Sequence, residues 1–512
     1  MAFSLLLSYE VQNQEALHVN LKKSKTVFII PFTLREDYKH LHDRLINSDW
    51  DFPGKASRKY ILDHVKHLIQ FDDQSLGNGT IGREYILKEH AREKYNLPVN
   101  ASHKLYLITK KGEYIFKVNK VSLFLFETRT GFLTFEVIHT NKNLDQIVGA
   151  NYYIKHLHHL YQSQLLNQKE YYLSSQGLVD ESVESEESRR TMSSITMKIL
   201  EPIGVERYFS SENNQPESAL VYNSLMLLDT FEVTENKEKL LGEYLFKLRR
   251  SFKESYKPAP SELMLKDNPQ IIQLFENSFW GVSLEGLTNV VHLTNDQVTN
   301  EFFNGNYQSN LSQSYFYIYM IALHQRFALL ALNSRAQDIP KNEQLSAGDF
   351  EEIQKLRKEI NFFILRSFFK HVSSITHQQA LYERIEKCLQ IEELKGDLHL
   401  ELEALSSVAE LQQYYRLKEQ ENEMRKLREQ EDQQKEKHAD TFLIWSTVFV
   451  VFSAITGTWS VIADLFRKST EPLFHYSAAK AMLIVSIVLI LGGIGAFVSV
   501  KRKWKPSRDS RN

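Results

Sequence analysis

The sequence predicts an α+β domain, a long helical stalk and two C-terminal helices that cross a membrane. Three observations carry that prediction. Two apolar runs lie near the end of the chain, residues 441–463 (TFLIWSTVFVVFSAITGTWSVIA) and 478–500 (AAKAMLIVSIVLILGGIGAFVSV). The first holds no charged residue and the second holds only Lys480. The stretch before the first run has neither Pro nor Gly from Asp397 onward and enters the run without a break. Upstream, strand-like and helix-like patterns alternate. The expected boundaries are a soluble domain over 1–340, a stalk over 346–440, a first span over 441–464, an external loop over 465–477, a second span over 478–500 and a basic tail over 501–512.

Each apolar run is long enough to cross a hydrocarbon core of about 30 Å at 1.5 Å per helical residue. The loop between them is short, so they read as a helical hairpin. Lys and Arg set its orientation. The tail KRKWKPSRDSRN is strongly basic, and Arg425, Lys426, Arg428, Lys435 and Lys437 precede the first span. The loop holds only Arg467 and Lys468, offset by Glu471. Both termini are therefore expected in the cytoplasm, in a multi-pass protein of the inner (plasma) membrane, with Trp445 and Trp504 near the inner interface.

Composition bounds the rest. The 512 residues carry a formal net charge of −2, which gives no nucleic-acid signature, and no direct nucleic-acid binding is expected. Cys388 is the single cysteine, so no intramolecular disulfide framework exists and a reduced cytosolic body is expected. The opening MAFSLLLSYEVQ has no basic segment before its apolar run and lacks a secretory signal pattern.

Along the soluble domain, residues 26–32 (TVFIIPF) predict a strand, and 58–71 and 83–95 predict helices. Strand signals follow at 104–109, 113–118, 121–127 and 131–139, the last two joined by the turn Thr128–Gly131 into a hairpin. Residues 143–160 predict a helix capped by Asn143. Residues 176–193, rich in Ser and Glu, predict a mobile loop. Strand-like patterns return at 195–201 and 219–229, then a basic amphipathic helix at 237–256 and helices at 264–280 and 294–303. Residues 315–332 (YFYIYMIALHQRFALLAL) are nearly as apolar as the spans, but His324, Gln325 and Arg326 sit in their middle. An arginine at membrane depth is costly, so a buried helix of the soluble domain is expected there. Helices at 350–372 and 377–396 lead to the stalk.

From Asp397 one continuous helix is expected through Ala463, about 100 Å long at 1.5 Å per residue. Leu398, Leu402, Leu405, Val408, Leu411 and Tyr415 recur at three to four residues, and Leu417, Met424 and Leu427 continue the stripe. A helix so long, with the charged middle KEQENEMRKLREQEDQQKEKHAD, implies bundling with copies of itself. In the first span, at about 100° per residue, Ser446, Ser453, Gly457, Ser460 and Asp464 fall within about 40° of one line, with Thr456 at its flank. Two arrangements account for such a line. In a ring of subunits it lines a water-filled path. Alternatively the hydroxyls bond to their own helix carbonyls and pack against a neighbouring helix.

Other patterns carry less. Gly77, Gly79 and Gly82 satisfy GxGxxG literally, but no strand precedes them and no βαβ unit surrounds them. His156, His158 and His159 cluster on one helix without cysteines or paired carboxylates at ligand spacing. Cys388 has no activating partner nearby in sequence. Lys237, Lys239, Lys247, Arg249, Arg250 and Lys253 read as a solvated helix face. With no nucleophile–base or acid–base constellation and no cofactor motif, a non-enzyme is expected.

The order of cytoplasmic α/β domain, stalk, first span, short loop, second span and basic tail resembles the CorA-like divalent-cation channels. Two stretches sharpen the resemblance. VSLFLFETRTGFLTFEVIHTNKNLDQIVGANYYIKHL, from Val121, looks like the strand–strand–helix piece of that family's soluble domain. Ile455, Thr456, Gly457, Thr458 and Trp459 resemble the run that closes its first span. The resemblance implies a funnel-shaped homopentamer in the lipid bilayer, a pore lined by Ser446, Ser453, Thr456, Gly457, Ser460 and Asp464, and transport of Mg2+ or another divalent cation. The chain departs from the family at Ser460, Val461 and Ile462, where the family carries Gly-Met-Asn. Ile462 cannot supply the amide that holds hydrated magnesium at the pore mouth. The enlarged soluble part also resembles the divergent CorA-like proteins of type III CRISPR systems, which implies a membrane effector opened by a small nucleotide in antiviral defence. A membrane-anchored helical scaffold without a pore is the third reading.

Overall fold

The computed structural model describes residues 17–46, 48–53, 60–69, 80–95, 97, 105–109, 112–157, 165–167, 191–212, 214–230, 235–252, 256–339, 347–468 and 472–503. The chain divides into two compact units, Met1–Ser407 and Val408–Asn512.

The first unit is built on one large mixed sheet. Its first half contributes β1 (Lys25–Leu34), α1 (Tyr38–Ile46), β2 (Trp50–Asp51), α2 (Asp63–Lys66), β3 (Gly82–Leu87), α3 (Glu89–Arg92), β4 (Leu105–Thr109), β5 (Gly112–Phe126), β6 (Thr130–His139), α4 (Leu144–Lys155) and β7 (Leu165–Asn167). Then come α5 (Met192–Leu200), β8 (Val205–Tyr208), the short pair β9 (Ser211–Glu212) and β10 (Gln215–Pro216), β11 (Leu220–Thr230), α6 (Glu235–Arg250), α7 (Pro260–Leu263), β12 (Ile271–Phe275), β13 (Ser278–Val282) and β14 (Gly286–Leu293). The main path of the sheet runs β12-β13-β14-β11-β1-β6-β5-β3-β2, with β8 on β1, β4 on β5 and β7 on β4. β11 and β14 are parallel, and the crossover between them contains α6, α7 and the β12–β13 hairpin. Gly286 pairs with Val221 at that junction, where a Cβ would lie 2.2 Å from the Val221 carbonyl oxygen.

Both faces of the central strands are covered, which explains their unbroken apolar sequences. On one face Phe28, Ile30 and Phe32 of β1 join Leu123, Leu125, Leu133 and Phe135, packed with Leu41, Ile154 and Ile199 from α1, α4 and α5. On the other face Phe124, Phe126, Phe132 and Tyr222 meet the helix α9 (Phe316–Asp338). A second core joins Leu241, Leu245 and Leu248 of α6 to Leu225, Leu227 and Val290.

α9 is the predicted buried helix. In the segment Gln297–Asp338 that contains it, the most apolar window is 89% buried in this unit. Its polar triplet is answered by protein. His324 stacks on Phe126 with centroids 4.0 Å apart, and its Nε2 lies 2.9 Å from Thr128 Oγ1. Gln325 donates to the Ser367 carbonyl at 3.0 Å and accepts from Tyr382 at 2.8 Å. α9 is preceded by α8 (Gln297–Phe302) and by two π-helical stretches, Phe303–Tyr307 and Leu311–Tyr315. α10 (Ala347–Ser367) and α11 (Thr376–Cys388) follow.

Several sequence expectations are corrected here. Of residues 195–201 all but Glu201 lie in α5, a helix opened by a Thr191–Ser194 capping box, because one face of an apolar helix and an apolar strand look alike over seven residues. Within 264–280 the expected helix is replaced by the β12–β13 hairpin, in which β12 pairs with β13 and β13 with β14. Residues 83–95 begin as β3, paired with β5, and turn helical only at Glu89. Residues 113–118 and 121–127 form one strand, β5, with a register shift between Val118 and Lys120. Of 58–71, the described part holds only the four-residue α2. The mobile loop expected at 176–193 lies outside the described residues up to 190, and Met192–Ser193 open α5. Asn143 caps α4 as expected, accepting from the Asp145 amide at 2.8 Å.

α12 (Ile391–Lys468) is a single helix of 78 residues, six residues earlier at its start than the sequence predicts. At 1.5 Å per residue it is about 115 Å long. In the second unit its C-terminal part is accompanied by α13 (Pro472–Lys503), of 32 residues. The part of α12 ending at Val461 is long and apolar enough to cross a membrane, and its most apolar window is 0% buried.

Candidate functional site

The two C-terminal helices approach each other at Val451 of α12 and Gly493 of α13. On α12 the half-buried side chains between 441 and 461 are Thr447, Val451 and Ile455, which recur every four residues and so share one face. Among the described side chains of α13, Ser486 and Gly493 are half-buried. A Cβ placed on Gly493 would lie 3.0 Å from Val451 Cγ1, so the backbone of α13 approaches α12 closely at that point. A glycine lets two helix backbones approach closely, which gives packing where burial alone supplies no drive.

The polar line lies elsewhere on α12. At about 100° per residue, Val451 is about 140° from Ser446. Ser446, Ser453, Thr456, Gly457, Ser460 and Asp464 are all exposed. No described atom comes within 4 Å of a Cβ built on Gly457. The hydroxyls donate into their own helix: Ser446 to the Leu443 carbonyl at 2.9 Å, Ser453 to Phe449 at 2.8 Å, and Thr456 to both Phe452 and Ser453 at 3.0 Å. Their protons are thus engaged with carbonyls three or four residues back, and oxygen lone pairs remain for whatever faces them. With the Asp464 carboxyl at the same edge, the line offers acceptors. A cation gains from such a surface and an anion does not.

The N-terminal end of α12 is held differently. α11 ends at Cys388, and Gln390 takes a left-handed conformation, φ 54°, before α12 starts. The Leu389 and Gln390 amides bond back to Ile385 and Lys387 at 2.8 and 3.2 Å, and Arg326 of α9 donates to the Leu389 carbonyl. A non-glycine residue in the left-handed region ends a helix at some cost, and the half-buried Arg326 contact offsets it. Just beyond, Lys395 lies 4.1 Å above the Phe368 ring, and Leu398 and Leu402 are buried.

The single apolar stripe expected from Leu398 to Tyr415 is two faces. The successive steps of three residues from Leu402 to Leu411 carry the line about 60° round each time. Leu398 and Leu402 are buried, whereas Leu400, Val408, Leu411 and Tyr415 are 46–65% exposed. Leu417, Met424 and Leu427 are also more than half exposed.

The remaining sequence candidates resolve into structural roles. Gly82 stands where a Cβ would meet Phe126 at 2.4 Å and the Leu68 carbonyl at 2.8 Å, while Gly77 and Gly79 lie outside the described residues. His156 caps α4, its Nδ1 2.7 Å from the Tyr152 carbonyl oxygen, and His158 and His159 lie outside the described residues. The Cys388 thiol faces the Pro269 carbonyl at 3.6 Å, and burial pushes its pKa up, away from the reactive thiolate. The basic helix is not simply solvated: Arg249 is fully buried and, with Arg250, binds Glu262. Among the described residues no group of three or more metal-ligating side chains converges.

No protein-family model matches the chain, and no curated protein matches it.

Proposed function

We propose that the protein is a homo-oligomeric membrane channel of CorA-like architecture, with α12 lining the pore and the mixed-sheet domain gating it from the cytoplasm. The observation that supports this most is the placement of the polar line. Ser446, Ser453, Gly457, Ser460 and Asp464 form an exposed acceptor stripe, while the half-buried face of the same helix, Thr447–Val451–Ile455, lies on another side. A row of hydroxyls and a carboxyl is poorly placed against lipid and well placed along water. The exposed apolar side chains Leu400, Val408, Leu411 and Tyr415 supply a second reason for assembly, since a lone helix gains nothing by exposing them. Five copies is the number that the family resemblance implies. The cargo is a cation, of a selectivity set by hydroxyls and Asp464 rather than by an amide ring.

Reconstitution into liposomes tests it. Wild-type protein should conduct cations, and Ser453→Leu and Asp464→Ala should each change conductance or selectivity. Unaltered currents in both variants would remove the pore from this helix. A protein that stays monomeric in mild detergent would instead be a membrane-anchored scaffold, because one hairpin cannot enclose a path.

A further inference from the structure

The seam between α4 and the ends of β5 and β6 holds a cavity of about 470 Å³. Tyr114 and Ile115 near the start of β5, His139 at the end of β6, and Gln146, Ile147 and Ala150 on α4 form its walls. We infer that this cavity binds a small ligand with a primary carboxamide, whose two N–H groups meet His139 Nδ1 and Asn151 Oδ1. The inference does not depend on the channel reading above.

The hydrogen-bond network that ends at His139 fixes each proton in turn. Asn223 Nδ2 donates to the Leu248 carbonyl at 3.2 Å and to Thr288 Oγ1 at 3.0 Å, which sets the orientation of its amide. Asn223 Oδ1 then accepts from Asn151 Nδ2 and from the Thr26 hydroxyl, each at 2.9 Å. A hydroxyl has one proton. Having given it to Asn223, Thr26 Oγ1 accepts from His139 Nε2, 3.1 Å away. Burial holds the imidazole neutral, with its pKa down at about 4. The neutral ring carries its single proton on Nε2, and Nδ1 is left as an acceptor.

Two neighbouring acceptors therefore lack a donor. Asn151 is fully buried, and with its Nδ2 committed to Asn223 its Oδ1 has no partner among the described residues. Its side chain neighbours the His139 ring, and it follows Ala150 of the cavity wall on α4. His139 itself lines the cavity and is 6% exposed. A buried acceptor without a donor is costly, and a ligand that supplies the donor relieves that cost.

The rest of the lining selects the ligand. A carboxylate or phosphate would set its oxygens against both acceptors. A cation would enter beside Lys142 with no counter-charge, since no carboxylate stands among the described lining residues. A neutral NH2 group avoids both penalties and offers two protons from one atom. Its carbonyl oxygen is met by the Lys142 ammonium and the Gln146 amide, both on exposed side chains. The half-buried Tyr114 ring, with Ile115 and Ile147, supplies an apolar wall for a planar body.

The test uses the full-length protein in detergent, with nicotinamide as the probe and N,N-dimethylnicotinamide and nicotinate as controls, in calorimetric and thermal-shift titrations. Nicotinamide should bind and raise the melting midpoint. The dimethyl amide keeps the ring and the carbonyl but has no N–H, and it should bind roughly tenfold weaker or worse, as should nicotinate. Gln146→Trp places an indole over the cavity from an exposed position. It should melt as the wild type does and lose nicotinamide binding. His139→Phe removes the Nδ1 acceptor and should weaken nicotinamide by roughly tenfold while leaving the dimethyl amide unchanged. No nicotinamide binding overturns the site, and so does binding that Gln146→Trp leaves intact. Dimethyl amide or nicotinate binding as tightly as nicotinamide overturns the carboxamide assignment. Where His139→Phe fails to fold, the three ligands on wild-type protein decide that assignment by themselves.

Discussion

Tyr307 and Tyr315 allow the packing of the first unit to be tested with one atom each. Their rings are neighbours, 5.7 Å between centroids, in the two consecutive π-helical stretches before α9. Both are at most 1% exposed. The Tyr307 hydroxyl is 2.7 Å from Ser278 Oγ and accepts from Trp280 at 3.2 Å and Asn289 at 3.4 Å. The Tyr315 hydroxyl is buried with no hydrogen-bond partner among the described residues, and burial raises the pKa of both phenols. Tyr315→Phe removes an unpaired polar atom and should stabilise by about 1–2 kcal/mol. Tyr307→Phe removes an acceptor and strands the Trp280 indole donor, at a cost of about 2–3 kcal/mol. With an unfolding entropy of about 2.1 cal/mol/K per residue, a unit of roughly 400 residues shifts its midpoint by about 1.2 °C per kcal/mol. Tryptophan-fluorescence melting in detergent should therefore move up by about 1–2 °C for Tyr315→Phe and down by about 2–4 °C for Tyr307→Phe. A Tyr315→Phe midpoint that falls as far as that of Tyr307→Phe would mean the hydroxyl is satisfied, for example by an internal water, and would refute the reasoning.

The helix hairpin and the buried histidines give two more expectations. Gly493→Ile should push α13 away from Val451 and broaden the size-exclusion profile in detergent, whereas Gly495→Ile, with nothing described within 4 Å of its Cβ, should be tolerated. Burial lowers the pKa of His139 to about 4 and that of His324 to about 3, so both stay neutral in the folded state where the unfolded chain titrates near 6.5. Their contribution is complete above pH 6.5 and is lost as pH falls, by about 1.4 kcal/mol per pH unit per histidine until each folded pKa is reached. Melting midpoints measured from pH 7.5 to 5 should fall accordingly, and a flat profile would contradict the burial of both rings.

How much of this was legible depended on the length of the pattern. The 78-residue α12 could be read because neither Pro nor Gly interrupts 397–456 and because an apolar run of span length has few alternatives. α9 is legible as buried because His324, Gln325 and Arg326 interrupt its apolar run and an arginine at membrane depth is costly. The errors fell on short segments. The stretch now seen as α5 looks like a strand by composition, and its helix is specified by the Thr191–Ser194 cap and by packing under the sheet. β12 and β13 read as helical because their strand character comes from pairing with each other and, for β13, with β14, which no local pattern contains. The line Ser446–Asp464 was visible as a periodicity, but which face of α12 meets α13 was not, because it follows from where Gly493 reaches Val451.

The sequence by itself determined the two apolar helices, the unbroken helix leading into the first of them, and the acceptor line along it. Each follows from residue type at a fixed helical spacing. Only the tertiary structure decided which side of that line stays open, how Arg326 and Gln390 join α12 to the mixed sheet, and that Thr26, His139, Asn151 and Asn223 share one network beside a cavity. Thr26 and Asn223 are 197 positions apart, and only the pairing of β1 between β6 and β11, with α4 packed on them, brings these residues together.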